Sequence, residues 1–394
     1  MYSQKALADN IRYHRVRLGL SQREIAEQLD VSVQAVSKWE RGLAAPELFA
    51  LCGLAGVFGV SVDALLSTFS ASATAPAFIG VDGGGGKTEF VLFTASGEVL
   101  GRELLSPTNP NTVGIDRTCS VLKEGIDKLL PLARNGVKGI HVGIAGIPSG
   151  SRRDYVARYL KDTYPAVLSR VSGDAESVVA CCDGAERGIF ATVGMGSCVF
   201  AKTEQGTRGF GGDGYLLDDG GSGFDIGREA MRAVLYAEQG IGEKTLLSER
   251  INERLGAHFL TRITELYGGA PRSISSLAPL VFDAMRASDA VATGIVKRSF
   301  ETLADRIALA RQITNAGDTL VFSGGLLNVS ELWMPILLAR LPYHPNVIIP
   351  RLPQIFGACR LALSAFGGGA VLPEGRYLEE YERLKRSQSV FGRS

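Results

Sequence analysis

Residues 78–88 of this 394-residue chain read Phe78-Ile79-Gly80-Val81-Asp82-Gly83-Gly84-Gly85-Gly86-Lys87-Thr88. The apolar run before the glycines predicts a buried strand, and the run 89–93 predicts a second strand. The glycines therefore form a tight turn between two strands. Because glycine has no Cβ, the N–H groups of such a turn can approach a phosphate closely, and Lys87 adds positive charge. Asp82, at the strand end, could hold a magnesium ion through water.

Phosphate binding is not the only interpretation of this hairpin. A helix follows the glycines in a Walker loop and in a dinucleotide-binding fingerprint, whereas a strand follows them here, so neither motif is present. Taken alone, the stretch is equally consistent with a glycine-rich turn that binds nothing. Three later glycine-rich stretches favour the binding interpretation.

Composition indicates the class of protein. The chain is 45% hydrophobic and 21% charged, as globular proteins are, and its length predicts two or three domains. Its net charge of +1 does not indicate a nucleic acid or a membrane as a partner. Its six cysteines lack metal-ligand spacing, no signal peptide is evident, and no uninterrupted apolar run has membrane-spanning length. We therefore expect a protein of the cytoplasm with free thiols and no membrane partner.

The first 66 residues predict a compact unit of five helices. Ser21 and Glu24 form a capping box at the start of the second helix, and the third helix spans 33–41. The following stretch, 67–76, is small and polar and ends in proline, which predicts a flexible linker. The helical unit therefore forms a domain of its own.

Residues 20–42 resemble the Cro/phage-repressor-type helix-turn-helix (XRE) family. The stretch reads LSQREIAEQLDVSVQAVSKWERG, and the match extends over residues 1–66. The resemblance implies that the third helix enters the major groove of double-stranded operator DNA. Spacing turns four side chains outward as candidates to read bases: Ser32, Gln34, Ser37 and Lys38. Gln22 and Arg41 would hold phosphates.

The charge of this unit leaves an alternative open. Residues 1–66 carry seven lysines and arginines against seven acidic residues, so one unit alone would bind DNA poorly. A homodimer with two recognition helices is therefore expected. The alternative is a helical module for protein interaction or dimerisation.

From Ala77 onward, strand-like runs alternate with helical patterns, which predicts an α/β domain. A second strand–glycine–strand hairpin turns at 194–197, which suggests duplicated halves that close over a nucleotide. We place one lobe at 77–187, a second at 188–370 and a surface helix in the tail 371–394.

Two further glycine-rich stretches follow the second hairpin. The stretch 209–223 supplies Asp219 and opens a helix at 224, whose N-terminus could face an anion. A later strand ends at Ser323-Gly324-Gly325, where adenine could lie on bare backbone.

Together the four stretches resemble the actin-like ATPase superfamily, and within it the BadF/BadG/BcrA/BcrD ATPase family that includes N-acetylglucosamine kinases. The resemblance covers 77–370 and implies a two-lobed actin-like (ribonuclease H-like) fold that binds ATP and Mg²⁺. The implied nucleotide contacts are Asp82, Gly83, Gly84, Gly85, Lys87, Thr88, Gly194, Gly196, Ser197, Asp219, Gly324 and Gly325. Asp82 and Asp219 would hold the metal.

The resemblance also points to Asp174 as a general base. Its carboxylate could accept the proton of a sugar hydroxyl that attacks the γ-phosphate, although capping the following helix is an equal alternative. The implied sugar contacts are Thr108, Asn109, Asn111, Ala145, Gly146, Asp174 and Ser197. A proline-containing turn is the alternative for 108–111.

Five positions depart from the family pattern. Gly86 and Met195 stand where the phosphate loops usually carry threonine, Gly220 replaces a glutamate, and Gly173 replaces an asparagine. Asp213 stands where a tryptophan is common. Phosphoryl transfer depends on positioning and charge stabilisation, so these changes fit a sensor with weak or no turnover at least as well as an efficient kinase.

We therefore predict a DNA-binding transcriptional regulator whose kinase-like domain senses a sugar or amino sugar. The first alternative is an active ATP-dependent N-acetylglucosamine-type kinase with an appended DNA-binding domain. The second is a 2-hydroxyacyl-CoA dehydratase activator, although the paired cysteines expected for its iron–sulfur cluster are missing from the sequence.

Overall fold

The computed structural model describes residues 4–66, 76–147, 150–182, 187–212, 214–217, 219–256 and 271–390. The predicted linker lies outside these ranges except for Pro76. The N-terminal unit has five helices, as predicted: α1 (Gln4–Arg17), α2 (Gln22–Gln28), α3 (Val33–Glu40), α4 (Leu48–Phe58) and α5 (Val62–Leu66).

Side-chain caps fix the two central helices of this unit. Ser21 Oγ accepts the Glu24 amide at 3.1 Å, and Glu24 Oε2 accepts the Ser21 amide at 2.6 Å, which confirms the capping box. At the start of α3, Ser32 Oγ accepts the Ala35 amide at 3.1 Å. These bonds satisfy N–H groups that helix ends leave open, so local sequence sets the helix-turn-helix geometry.

The first lobe is built on a five-stranded sheet of order β3-β2-β1-β4-β5. Strands β1 to β3 are antiparallel, and β4 and β5 run parallel to β1. Its elements are β1 (Ala77–Gly83), β2 (Thr88–Thr94), β3 (Val99–Leu105), α6 (Pro110–Val113), α7 (Ile115–Leu129), a 3₁₀ helix (Leu130–Leu132), β4 (Val137–Ile144), α8 (Ser151–Thr163), β5 (Leu168–Gly173) and α9 (Asp174–Ala180).

The second lobe repeats this topology, with the sheet order β8-β7-β6-β9-β10. Its elements are β6 (Gly188–Val193), β7 (Ser197–Thr203), β8 (Gly206–Gly209), α10 (Gly223–Glu238), α11 (Leu247–Leu255), α12 (Pro271–Ser275), α13 (Ala278–Arg286), α14 (Ala290–Thr314), β9 (Thr319–Ser323), a 3₁₀ helix (Gly325–Val329), α15 (Ser330–Arg340) and β10 (Asn346–Ile348). The identical strand order confirms the prediction of duplicated halves.

The last two helices, α16 (Gln354–Phe366) and α17 (Glu374–Val390), return to the first lobe. Helix α16 packs on β1, β4 and α9, so the stretch that the sequence assigned to the end of the second lobe instead covers the first sheet. Glycine makes this approach possible, because a β-carbon added to Gly80 would lie 2.6 Å from Cys359 Sγ.

A buried polar network anchors α17. Arg102 Nε donates to Glu89 Oε1 at 2.5 Å, and the Tyr381 hydroxyl donates to the same oxygen at 2.7 Å. Arg102 Nη1 also donates to Gln388 Oε1 at 3.0 Å. The tail is helical, as predicted. Its inner face bonds to buried charged groups of the first sheet, which periodicity did not indicate.

The N-terminal helical unit is docked on the first lobe through α1. Tyr13 is 8% exposed and packs with the core of that lobe. The Arg134 guanidinium lies 5.0 Å from the centre of the Tyr13 ring and donates to the Asp9 carbonyl at 3.1 Å.

Within the described ranges, no helix has both the length and the apolar character that a membrane crossing requires.

His141, on β4, makes stability depend on pH. It is fully buried, its Nε2 lies 3.2 Å from Ser172 Oγ, and burial and Arg170 lower its pKa to about 3. Below pH ~6.5 the unfolded chain takes up a proton that the folded chain does not, so stability is lost as pH falls.

We expect the free energy of unfolding to fall by about 2 kcal/mol between pH 7 and pH 5 through this histidine, at ~1.4 kcal/mol per pKa unit. Urea unfolding at both pH values, in wild type and His141→Gln, measures it. The variant should lose that much less stability over the same interval. An equal loss in both proteins would contradict the assignment.

Candidate active site in the cleft between the lobes

A cleft of about 1450 Å³ lies between the two lobes. It brings together segments as far apart in the sequence as Asp82 and Leu372. The predicted site residues that line it are Asp82, Gly83, Gly84, Gly85, Lys87, Asn109, Asn111, Ala145, Gly146, Asp174, Gly194, Gly196, Ser197 and Asp219.

The first glycine loop, 83–87, is a hairpin held by its backbone. The Gly84 amide donates to the Lys87 carbonyl at 2.9 Å, and the Ala145 amide donates to the Gly83 carbonyl at 2.8 Å. Among the described residues, no acceptor takes the amide hydrogens of Gly85, Gly86 or Lys87. The loop therefore presents three open backbone donors beside the Lys87 ammonium group.

The buried residues Thr88 and Thr108 support this loop. Both are fully buried, and their hydroxyl oxygens lie 3.0 Å apart. The Thr108 amide also donates to the Gly84 carbonyl at 3.2 Å. Neither threonine lines the cleft, so the geometry favours a supporting role over the direct nucleotide and sugar contacts that the sequence predicted.

The second glycine loop, 194–197, is held by the start of α10. The Gly223 amide donates to the Gly194 carbonyl at 2.8 Å, and the Phe224 amide donates to the Met195 carbonyl at 3.0 Å. These bonds use the helix N-terminus that the sequence predicted would face an anion. Within the described part of the chain, the amides of Met195 and Gly196 remain without an acceptor, so the loop itself supplies the donors.

Asp219 fastens the second loop to α10. Its Oδ1 accepts the Ser197 amide at 2.8 Å, and its Oδ2 accepts the Ser222 hydroxyl at 2.7 Å. Burial raises its pKa to about 6 in spite of these bonds. With both oxygens bonded to protein donors, Asp219 fits a supporting role better than direct metal ligation.

Asp82 ends β1 at the floor of the cleft. Gln354 Nε2, on α16, donates to Asp82 Oδ1 at 3.0 Å. Burial, followed by repulsion from Asp174 and Glu89, raises the pKa of Asp82 to about 8. A divalent cation would relieve this repulsion, so Asp82 is the carboxylate that best fits Mg²⁺.

Asp174 is the first residue of α9 and lines the cleft. Its Oδ1 accepts the amide of the adjacent Ala175 at 3.0 Å, and the N-cap of α9 is Gly173, so Asp174 does not hold the capping position that the alternative interpretation gave it. Burial raises the pKa of this carboxyl group. The bond from the Ala175 amide holds the carboxyl group in place, and the raised pKa makes its carboxylate a stronger proton acceptor.

Three of the predicted sugar contacts, Asn109, Asn111 and Gly146, meet at one corner of the cleft. Asn109 Oδ1 accepts the Asn111 amide at 2.9 Å and so starts α6. A β-carbon on Gly146 would lie 2.4 Å from Asn109 Oδ1, so only glycine allows this approach. Arg152 Nη1 donates to Asn111 Oδ1, a contact that the sequence did not suggest.

Gly324 and Gly325 lie against the second loop and do not line the cleft. A β-carbon on Gly324 would lie 2.3 Å from the Val193 carbonyl oxygen, and one on Gly194 would lie 3.8 Å from the Gly325 amide nitrogen. Both glycines therefore lie next to the predicted phosphate loop and do not form part of the cleft wall.

Two of the departures from the family pattern differ in their surroundings. A β-carbon on Gly86 would have no atom of the described residues within 4 Å, so a side chain fits there. A β-carbon on Gly220 would lie 2.7 Å from Thr302 Cγ2, on α14. Thr302 occupies the space next to Gly220, so a glutamate at this position would fit only if Thr302 moved.

The predicted DNA-reading face of α3 is exposed at Ser32, Gln34 and Lys38 and half-buried at Ser37. Arg41, at the end of α3, is exposed. Gln22 Nε2 donates to Glu40 Oε2 at 2.8 Å, so its amide is already engaged within the unit.

Sequence reasoning missed Gln354 as a partner of Asp82. The available signal was a polar residue at the start of a mostly apolar helix, which by itself indicates only a helix boundary. Its role depends on α16 crossing back to the first lobe.

Two families match this sequence. Residues 79–358 match the BadF/BadG/BcrA/BcrD ATPase family, and residues 11–65 match a helix-turn-helix family. An N-acetyl-D-glucosamine kinase of Dictyostelium discoideum is 28% identical over 251 residues, 58% of this chain and 77% of the relative. An N-acetylmuramic acid/N-acetylglucosamine kinase of Clostridium acetobutylicum is 29% identical over 264 residues, which cover 64% of this chain and 85% of the relative.

Solved structures share the fold. A candidate N-acetylglucosamine kinase from Chromobacterium violaceum superposes with a TM-score of 0.59 at 23% identity, covering 72% of this chain and 98% of its own. A ROK family transcriptional regulator, a homologue of the E. coli MLC protein, gives 0.51 at 11% identity and covers 98% and 99%. Since the match at 79–358 spans more than half of the sequence, the chain belongs to the BadF/BadG/BcrA/BcrD ATPase family and carries a helix-turn-helix domain in front of that ATPase domain.

Proposed function

We propose that this protein is a DNA-binding transcriptional regulator of the cytoplasm whose kinase-like domain senses a sugar or amino sugar. The observation that carries the proposal is the docking of α1 on the first lobe through Tyr13, Asp9 and Arg134. A tethered unit without such contacts would move independently of the cleft. Here a change in the angle between the lobes would move the DNA-binding unit with the first lobe.

The sugar class follows from the corner of the cleft formed by Asn109, Asn111 and Gly146. Amide groups suit the hydroxyl and acetamido groups of a neutral sugar, and Asp174 lines the same cleft. The relatives named above act on N-acetylglucosamine and N-acetylmuramic acid. We therefore propose an N-acetylated amino sugar as the ligand. Its proposed contacts are the members of the predicted set that line the cleft: Asn109, Asn111, Ala145, Gly146, Asp174 and Ser197. Thr108, the remaining member, supports the first loop.

ATP is the proposed second ligand. The open amides of the two glycine loops and the Lys87 ammonium group face one cleft, and their chemistry fits phosphate oxygens. Mg²⁺ would be held at Asp82, with Asp219 keeping the second loop in position, and would neutralise phosphate charge when bound. Gly324 and Gly325 remain the proposed adenosine-side backbone.

A homodimer is the proposed assembly on DNA. Two recognition helices are needed for paired half-sites, and one unit has balanced charge. The large apolar side chains Leu48 and Phe49, at the start of α4, are 68% and 89% exposed, which fits a surface that a second copy covers.

The DNA contacts are tested with operator fragments selected from random DNA by the full-length protein. Gln34→Ala should weaken binding by about 1–3 kcal/mol and relax selection at one base pair, because a bidentate glutamine–adenine contact is lost. Arg41→Ala should weaken binding to all sequences evenly and reduce the salt dependence by about one phosphate. Unchanged base preference in Gln34→Ala would contradict its assignment as a reader.

An active N-acetylglucosamine-type kinase is the second candidate function, favoured by the raised pKa of the Asp174 carboxyl group. If the chain phosphorylates the sugar, Asp174→Asn should lower turnover by about 10²–10⁴-fold, because the amide cannot accept the proton. A coupled ADP-release assay against N-acetyl-D-glucosamine measures it. Turnover that persists in the variant would exclude Asp174 as the base, and no turnover by wild type would leave the sensor proposal.

A further inference from the structure

The Met195 side chain crosses the cleft. Met195 belongs to the second loop, in the second lobe, whereas Gly85 belongs to the first loop, in the first lobe. A β-carbon added to Gly85 would lie 2.5 Å from Met195 Cε. The thioether therefore rests against the glycine turn of the opposite lobe and fills the gap between the two loops.

That gap is where the loop amides point to a ligand. The Gly85 and Gly86 amides on one side and the Met195 and Gly196 amides on the other have no acceptor among the described residues. Met195 Cε lies over Gly85 and so narrows the space through which a phosphate would approach this turn. A thioether donates no hydrogen bond, so it blocks this volume without replacing a phosphate contact.

The Met195 side chain can move although its backbone cannot. The Met195 carbonyl accepts the Phe224 amide at 3.0 Å, which ties the loop to α10. The side chain is half-buried and unbranched, with three rotatable bonds, so it can rotate out of the gap at a cost in packing.

We propose that Met195 is a specificity-determining residue that makes the cleft select a sugar over a nucleotide. The inference rests on the proposed function, in which sugar and phosphates occupy different parts of one cleft. The sugar contacts belong to other segments, at 109–111 and 145–146, so a sugar can enter with Met195 in place. A nucleotide must displace it first, and the abundance of ATP then does not set the state of the regulator.

The test is isothermal titration of the full-length protein with AMP-PNP and Mg²⁺. Met195→Ala should bind AMP-PNP roughly tenfold more tightly than wild type, which corresponds to ~1.4 kcal/mol. Met195→Leu keeps most of the side-chain volume but ends one atom short of Cε, so its affinity for AMP-PNP should lie between those of wild type and Met195→Ala. Lys87→Ala in the Met195→Ala background should cancel the gain, because the nucleotide would then lose its charged phosphate contact.

The outcomes separate this inference from the proposed function. A thermal shift with N-acetyl-D-glucosamine is measured in parallel on each variant. If Met195→Ala binds AMP-PNP no more tightly than wild type, or if neither protein binds it, the role proposed for Met195 is wrong. A thermal shift with the sugar would still support the sensor in that case. Loss of the sugar shift in wild type overturns the proposed function itself.

Discussion

Arg102→Met is expected to destabilise the first lobe by about 3–5 kcal/mol, because it leaves the buried Glu89 carboxylate without its ion-pair partner. Arg102 and Glu89 side chains are 5% and 8% exposed, and their nitrogen and oxygen lie 2.5 Å apart. The same substitution removes the bond to Gln388, which helps hold α17 on β3. Urea unfolding of wild type and variant measures the change.

A matched substitution shows whether burial is the cause. Arg340 forms an ion pair with Asp305 at 2.8 Å, and both side chains are more than half exposed. Arg340→Met should cost no more than about 1 kcal/mol, since exposed pairs contribute little. Equal losses in the two variants would show that the buried network does not anchor α17.

Gly357→Ala is expected to cost about 3 kcal/mol or more, because its new methyl group has no room. Gly357 lies on α16 where this helix crosses α9, and an added β-carbon would be 1.9 Å from the Ser177 carbonyl oxygen. A backbone atom cannot rotate away, so the two helices must separate. Thermal and urea unfolding measure the loss.

Gly375→Ala is the matched control for this substitution. Gly375 lies on α17, and a β-carbon there would have no atom within 4 Å. Alanine should therefore be neutral or stabilise the protein by up to about 1 kcal/mol through its helix propensity. A Gly357→Ala protein as stable as Gly375→Ala would contradict the close crossing of α16 and α9.

Local patterns predicted those parts of the fold that local sequence determines. The glycine run after Asp82 and the capping box at Ser21 are complete within a few residues, and both the hairpin and the helix have the predicted form. Gln354 is different, because its contact with Asp82 joins residues 272 positions apart. Periodicity carries no information on which lobe a helix packs against, and the assignment of α16 failed for that reason.

The site shows the same division. Residue types and spacing indicated the two glycine loops, and the family resemblance pointed to Asp174; these segments line one cleft. Thr108 has the right chemistry for a sugar, but its position under the first loop depends on how β3 leads into α6. Met195 was noted only as a missing hydroxyl, since no pattern in the sequence indicates that its side chain reaches Gly85 in the other lobe.

The measurement that tests the account most directly is the DNA affinity of the full-length protein with and without N-acetyl-D-glucosamine. Fluorescence anisotropy with a selected operator fragment should give a Kd that changes about tenfold when the sugar binds, within the usual range of coupling between sites. Asp174→Ala should keep its DNA affinity and lose the response. If the sugar raises the melting temperature of the wild type and the Kd for DNA stays the same, the cleft does not control the DNA-binding unit and the regulator proposal is wrong.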